Sequence, residues 1–598
     1  MTPSSTGSDP EALSRAAVRA SSRLADWQSS EGLWPNLLEG GPYLDVLYAL
    51  GVRMLRRAPA LQAQMDGAWV GRLLASQNAD GGFALWHGGP SHFTAGIEAY
   101  LALRLAGLPA DNEKLRALGS WIASQGGLDR CPASTWVKLV WSGAASDERL
   151  ESIPPEHFFF LDYRRFPPLL RQQAVCDAAL SVAAYLRGAA QPSPQPQAPA
   201  MRSELPPSPA TTEKTGFDLY GLTGVLISRW ARFAPRALRD PIVFRAYDAM
   251  VREAQLWPTL PVAIHAALAV EAAGGRGSAA LSGFERTLSW LAPSSAAAPP
   301  RPCDFGIRQA ALALLALAGA LPAGALESAA SSLESRFRTI RESAPGAPAA
   351  GWPLGDLHAS PDAETTALVL LALRRVSPHF QPGHELIRSA STALAGAQRE
   401  DGGWSPGESC ASAPDITATV LEALLACGHP PSSPAIARAV LFLENSQHAE
   451  AWWDSARGVH RLHGTALALR ALRAAGVDER EAVILRAGEW IRSIQNADGG
   501  WGEAPAEIAA PLFTPAPSTP AQTAWALLGL LASGDSSSES IRRGFSWLLE
   551  RQRPDGGWDA AAPCLAGVAG APFLADPLGA VAWPLLALRE RLSTLATP

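Results

Sequence analysis

The chain has 598 residues, too many for one ordinary core, so two domains of a few hundred residues each are expected. Its 47% hydrophobic and 18% charged residues are those of a globular protein and exclude a wholly disordered chain. With 50 Lys and Arg against 56 Asp and Glu the net charge is −6, which excludes the basic field a nucleic-acid partner needs.

In chain order, the first 22 residues lack the apolar core of a signal peptide. The longest apolar run, 310–321, is one buried helix long and falls short of the roughly 20 residues that span a bilayer. The six cysteines, Cys131, Cys176, Cys303, Cys410, Cys427 and Cys564, are scattered without a CxxC pair. That argues for a reducing, cytoplasmic setting and against a disulfide framework or a zinc knuckle.

One phrase recurs: an apolar helical stretch followed by Gln-x-x-Asp-Gly-Gly-aromatic. It reads QSSEGLW at 28–34, QNADGGF at 77–83, QREDGGW at 398–404, QNADGGW at 495–501 and QRPDGGW at 552–558, with a damaged copy from Gln447 to Trp453. In the second half the copies follow one another about every 50 residues, the length of a two-helix unit. Asp-Gly-Gly closes a helix because glycine accepts the left-handed conformation. The Gln is expected to bond backbone groups at a neighbouring helix end, with the aromatic ring covering it.

Between the phrases lie TALVLLALRRV (366–376), TATVLEALLACG (417–428), GTALALRALRAAG (464–476) and QTAWALLGLLASG (522–534), apolar on most of their circumference. Helices of that kind are covered on both sides. The expectation is an all-α chain without persuasive strands, in which inner and outer helices pair into two α/α barrels. Residues 1–27 would pack on the second barrel, 28–290 form the first and 291–598 the second. The Pro/Ser-rich segment 191–215 is expected as an extended loop, with shorter breaks at 293–301 and 345–350.

These repeats resemble the QW motifs of the squalene–hopene cyclase family. Three further stretches carry the resemblance: GGPSHFTAGIEAYLALRLAGLPAD (88–111), SAPDITATVLEALLACG (412–428) and STPAQTAWALLGLLASG (518–534). Other α/α-barrel families fit less well. Asp304 follows Cys303 without the partner His of a prenyltransferase zinc set, and neither a Cys-Gly-Glu-Gln run nor the Cys/His zinc set of lanthionine cyclases is found.

The resemblance implies a class II terpenoid cyclase, which protonates a carbon–carbon double bond of a linear polyprene such as squalene. The family acid sits centrally in Asp-x-Asp-Asp-Thr-Ala at the start of an inner helix. Here Asp362 holds the first position, Glu364 replaces the central acid and Thr365 replaces the third Asp. Without that context, Pro-Asp at a helix start is ordinary capping chemistry. Asp415 matches a family Asp and serves as charge partner. Thr419 stands where a His is usual, and His463 stands where a Tyr is usual. His463 is therefore either the new polar partner of Glu364 or a satisfied inner-helix histidine. His358 is expected to be solvated.

Several cavity aromatics of the family are replaced. Arg457 stands at a tryptophan position, Arg308 at an aromatic one, and Trp257 is displaced, while Phe573 is kept. Arg308 is either a surface residue or, with Arg457, an added cation for a diphosphate. No cofactor is implied for squalene, whereas the alternative, a C15–C20 prenyl diphosphate, would call for Mg²⁺. A non-catalytic isoprenoid-binding homologue is the third reading. The mixed Arg/Trp/Phe stretch 227–239 suits peripheral contact with the inner membrane, and a homodimer stays open.

Overall fold

A computed structural model describes residues 9–55, 65–145, 155–159, 168–187, 201–205, 230, 233–274, 278–295, 298–340, 346–407, 410–505, 513–568 and 571–596. They form two compact units. One comprises 39–303 with 567–574; the other comprises the chain before 39, then 304–566 and 575–598. The divisions thus lie at 38/39 and 303/304, where the sequence suggested 27/28 and 290/291. Both units are α/α barrels.

In the 39–303 unit the inner helices are α1 (Pro42–Met54), α2 (Phe93–Leu105), α3 (Ala133–Trp141), α4 (Pro168–Arg187) and α5 (Leu260–Ala272). Each packs on the next, and α5 returns to α1 to close the ring. Outside it, Glu113–Ser124 covers α2, Arg236–Gln255 covers α4 and α5, and Ser278–Leu291 covers α5.

The other unit has inner helices α6 (Gly306–Leu317), α7 (Ala363–Val376), α8 (Pro414–Ala426), α9 (Arg461–Ala474), α10 (Pro520–Ala532) and α11 (Gly579–Ala596), closed by α11 against α6. Outer helices Ala323–Glu334, Glu385–Gly396, Pro434–Asn445, Ala482–Ser493 and Glu539–Arg551 alternate with them. The N-terminal helix Pro10–Asp26 takes the remaining outer position, on α11, α6 and Glu539–Arg551. The division of labour follows hydrophobic pattern. In α10 every residue from Pro520 to Leu530 is buried, whereas Glu539–Arg551 buries one stripe of Ile541, Gly544, Phe545, Trp547 and Leu548.

The recurring phrase welds these layers together. Gln398 Nε2 donates to Gly402 O within its own turn and to Ala435 O in the first turn of the next outer helix, both at 2.8 Å. Gln495 repeats this with Gly499 O and Ser540 O, and Gln552 with Gly556 O and Ala16 O. The aromatic ring is more than a cover. Indole Nε1 of Trp404, Trp453, Trp501 and Trp558 donates to a last-turn carbonyl of the preceding outer helix at 2.7–2.8 Å. The backbone N–H of Trp404, Trp453 and Trp501 reaches a threonine hydroxyl on an inner helix, Thr417, Thr465 and Thr523, each at 3.0 Å. Gly402 and Gly499 sit at φ +90° and +94°; in the damaged copy Ala451 holds φ +74° with a side chain.

The expectation of no strands is corrected in two places. Arg338–Thr339 pairs with Ala350–Gly351, and Pro563–Val568 pairs with Ala571–Ala575. Both are short hairpins in connections between helices, where no helical period competes. Of the Pro/Ser-rich 191–215, residues 191–200 and 206–215 lie outside the described residues, and Met201–Glu204 forms one helical turn. Residues 227–229, 231 and 232 of the 227–239 stretch lie outside them too. Among the described residues no helix is long and apolar enough to cross a membrane.

Candidate active site

The first turn of α7 carries the acidic motif. Asp362 is the N-cap: its Oδ1 accepts Thr365 N and Thr365 Oγ1, each at 2.8 Å. The capped turn leaves Glu364 buried, 3% exposed. Thr365 is fully buried and bonds Asp362.

Glu364 lies between two guanidinium groups. Arg308, on α6 and 2% exposed, donates Nε and Nη2 to Glu364 Oε1 at 3.1 and 2.8 Å. Arg457 Nε lies 2.9 Å from Glu364 Oε2, and its Nη2 donates to Asp362 Oδ2 at 2.7 Å. Burial alone would raise the Glu364 pKa, but the two cations outweigh it and hold the carboxyl at about 2. Arg308 is raised in turn: burial opposes its charge, and Glu364 more than compensates. The expectation that Arg308 is a surface residue is therefore corrected. A buried guanidinium needs a counter-charge, and Glu364 provides it.

His463, open between a polar partner of Glu364 and a satisfied inner-helix histidine, takes its hydrogen bond at Ser455 and meets Glu364 electrostatically. His463 Nδ1 is 2.9 Å from Ser455 Oγ and 3.9 Å from Asp415 Oδ2, and its ring packs edge-on against Trp525 and Trp583 at 4.6 and 5.8 Å between centroids. Burial, the largest influence, lowers its pKa to about 4 against the pull of Asp415 and Glu364, so the imidazole is neutral. Asp415 accepts Ser455 Oγ at 2.8 Å and the backbone N–H of Ala456 and Arg457 at 3.0–3.1 Å. It thereby fixes the loop that aims Arg457 at the acid. Thr419 bonds its own helix, at Asp415 O. His358 is half-buried rather than solvated, and burial with nearby Arg457 lowers it to about 3.

The structure thus gathers Asp362, Glu364 and Thr365 on one turn, with Asp415 and His463 one step behind Arg457. Sequence reasoning noted Arg308 and Arg457 as lost aromatics but did not pair them with Glu364. The signal was there: two cations, one on an inner helix and one at an expected cavity position, require an anion. A cavity of about 30 Å³ adjoins Glu364, bounded by Leu368, Leu371, His463, Leu528 and Trp583.

Comparison with known proteins places this geometry. Residues 17–169 match the squalene-hopene cyclase N-terminal domain, and 409–592 match the squalene-hopene cyclase C-terminal domain. The squalene–hopene cyclase of Alicyclobacillus acidocaldarius is 28% identical over 96% of this chain and 97% of its own. A probable squalene–hopene cyclase of Sinorhizobium fredii is 26% identical over 93% of each. Among solved structures, ent-copalyl diphosphate synthase from Streptomyces platensis superposes with a TM-score of 0.53 at 16% identity, over 97% of this chain and 99% of that one, a likeness of fold. On these matches along nearly its whole length, the chain belongs to the squalene–hopene cyclase family of class II terpenoid cyclases.

Proposed function

We propose that this protein is a protonation-initiated cyclase of a linear isoprenoid of the squalene type, with Glu364 as the proton donor. The observation that supports it most is a carboxyl buried in the first turn of α7, at the family acid's position in a chain that matches family members along nearly all of its residues. An alkene is a very weak base, so a strong acid suits it, and Arg308 and Arg457 stabilise the carboxylate left after transfer. Asp362 and Thr365 hold the turn, Asp415 holds the Arg457 loop, and neutral His463 fills the wall with Trp525 and Trp583.

With a pKa of about 2, roughly one Glu364 in 10⁵ is protonated at pH 7. Turnover should therefore rise about tenfold for each pH unit below 7, as far as the protein stays folded. The test is incubation with squalene, farnesyl diphosphate and geranylgeranyl diphosphate between pH 7 and pH 5, followed by mass spectrometry, with Glu364→Gln checked for folding as the control. A cyclic product with a flat pH profile, or one that survives in Glu364→Gln, would remove Glu364 from the role.

A second reading is a non-catalytic isoprenoid-binding homologue, favoured by the double-arginine clamp and by the small cavity at Glu364. No product from folded protein at any pH transfers the assignment to it. For the prenyl diphosphate alternative, the acids at the site do not fit Mg²⁺, since Asp362 and Glu364 are engaged by Arg308 and Arg457. Among the described residues, the group with metal-ligating spacing is Glu334, His379 and His384. Contact with a membrane surface through 227–239 accords with exposed Trp230, Phe233 and Leu238.

A further inference from the structure

A second cavity lies in the 39–303 unit. Its volume is about 430 Å³, within the range of small-molecule sites, and Leu47, Leu85, Leu170, Leu180 and Pro261 give it apolar walls. Its polar floor is built around Glu98, which is fully buried. Lys138 Nζ donates to both Glu98 oxygens at 2.8 and 2.7 Å, Thr135 Oγ1 donates at 2.8 Å, and the Tyr43 hydroxyl donates at 3.1 Å. Glu98 is saturated, and the charge of Lys138 is neutralised by it.

Two groups on the lining are differently placed. His265, 5% exposed, has Nδ1 2.7 Å from Pro261 O, so Nδ1 carries the hydrogen and donates. Its Nε2 is then a buried acceptor without a hydrogen-bond partner. Burial, aided by Lys138, keeps this imidazole neutral at about 3. Asp177 accepts a long 3.3 Å bond from Gln173, and burial raises its carboxyl to about 6.

We propose that this cavity is a binding site for a linear isoprenoid with a neutral hydroxyl head, whose O–H donates to His265 Nε2. A diphosphate head is disfavoured by the same geometry. Lys138, the one Lys or Arg on the lining among the described residues, is held by Glu98, and Asp177 adds negative charge, so the cost of burying an anion goes uncompensated. The inference rests on the reading that the chain takes linear isoprenoids; squalene carries no head group, so the ligand of this cavity is a hydroxylated isoprenoid other than squalene, and His265 is the residue that selects it.

The test is titration of the full chain with farnesol, farnesene and farnesyl diphosphate, followed by tryptophan fluorescence. Farnesol is expected to bind about five- to tenfold more tightly than farnesene, the worth of one hydrogen bond, and more tightly than the diphosphate. His265→Leu should bring farnesol down to the level of farnesene and leave farnesene unchanged. Leu180→Trp, which fills the cavity, should abolish binding of both. Equal affinity for farnesol and farnesene in the unaltered protein, or unchanged binding in Leu180→Trp, overturns the proposal even if His265→Leu fails to fold. Preference for the diphosphate refutes the neutral head while leaving the isoprenoid reading intact; binding of none of the three removes both.

Discussion

Replacing Glu364 by Gln removes the anion between two buried cations and keeps the shape. Arg457 retains Asp362, but Arg308, 2% exposed, loses the carboxylate that takes both of its donated bonds. The fall in the Glu364 pKa from its ordinary 4.5 to about 2, at about 1.4 kcal/mol per pH unit, is worth about 3 kcal/mol of folding stability at neutral pH. Loss of one partner of a buried ion pair gives the same order, about 3–5 kcal/mol. The sign follows from a depressed carboxyl: the contribution is complete above the unfolded value of 4.5 and disappears as pH falls through about 2. Glu364→Gln should therefore lower the melting transition of the 304–566 unit by roughly 5 °C at pH 7. The gap to the unaltered protein should close as pH falls from 4.5 toward 2. Adding Arg308→Met should recover part of the loss, because an apolar replacement of a buried pair is often neutral or better. Calorimetry that separates the transitions of the two units measures all three effects. A Glu364→Gln loss under 1 kcal/mol, or a gap that does not change with pH, would refute the argument that the arginines clamp an ionised Glu364.

Two other expectations follow from single features. Ala451 occupies the left-handed position that glycine holds in the intact copies, so Ala451→Gly should relieve about 1 kcal/mol of strain and give a net gain of about 0.5 kcal/mol after its added backbone entropy. A lowered melting point in that variant would contradict the strain. His265, His358 and His463 are held at about 3, 3 and 4, below their ordinary 6.5, so the unfolded chain takes up protons that the folded one refuses. Their stabilisation is complete above pH 6.5 and is lost as pH falls toward 3, amounting to several kcal/mol across both units. A denaturation midpoint that stays level between pH 6.5 and 4.5 would show that these imidazoles are not held neutral.

The sequence by itself determined the architecture and the grouping of the candidate acid residues. A repeat of glutamine, glycines and tryptophan between all-apolar helices has few folded solutions, because each copy ties one outer helix to the next and each apolar helix must be covered on both sides. Asp362, Glu364 and Thr365 share one helical turn, so their grouping is local and legible. The tertiary structure decided what surrounds them. Arg308 is 56 residues before Glu364 and Arg457 is 95 beyond Asp362, and nothing in local spacing says that α6 and the loop before α9 deliver both to one carboxylate. The same holds for Lys138 and Glu98, 40 residues apart, and for His265, which line a cavity created only when five helices close into a ring. Whether a buried carboxyl is an acid or an anion depends on the charges within a few ångströms of it, and closure of the barrel sets those distances.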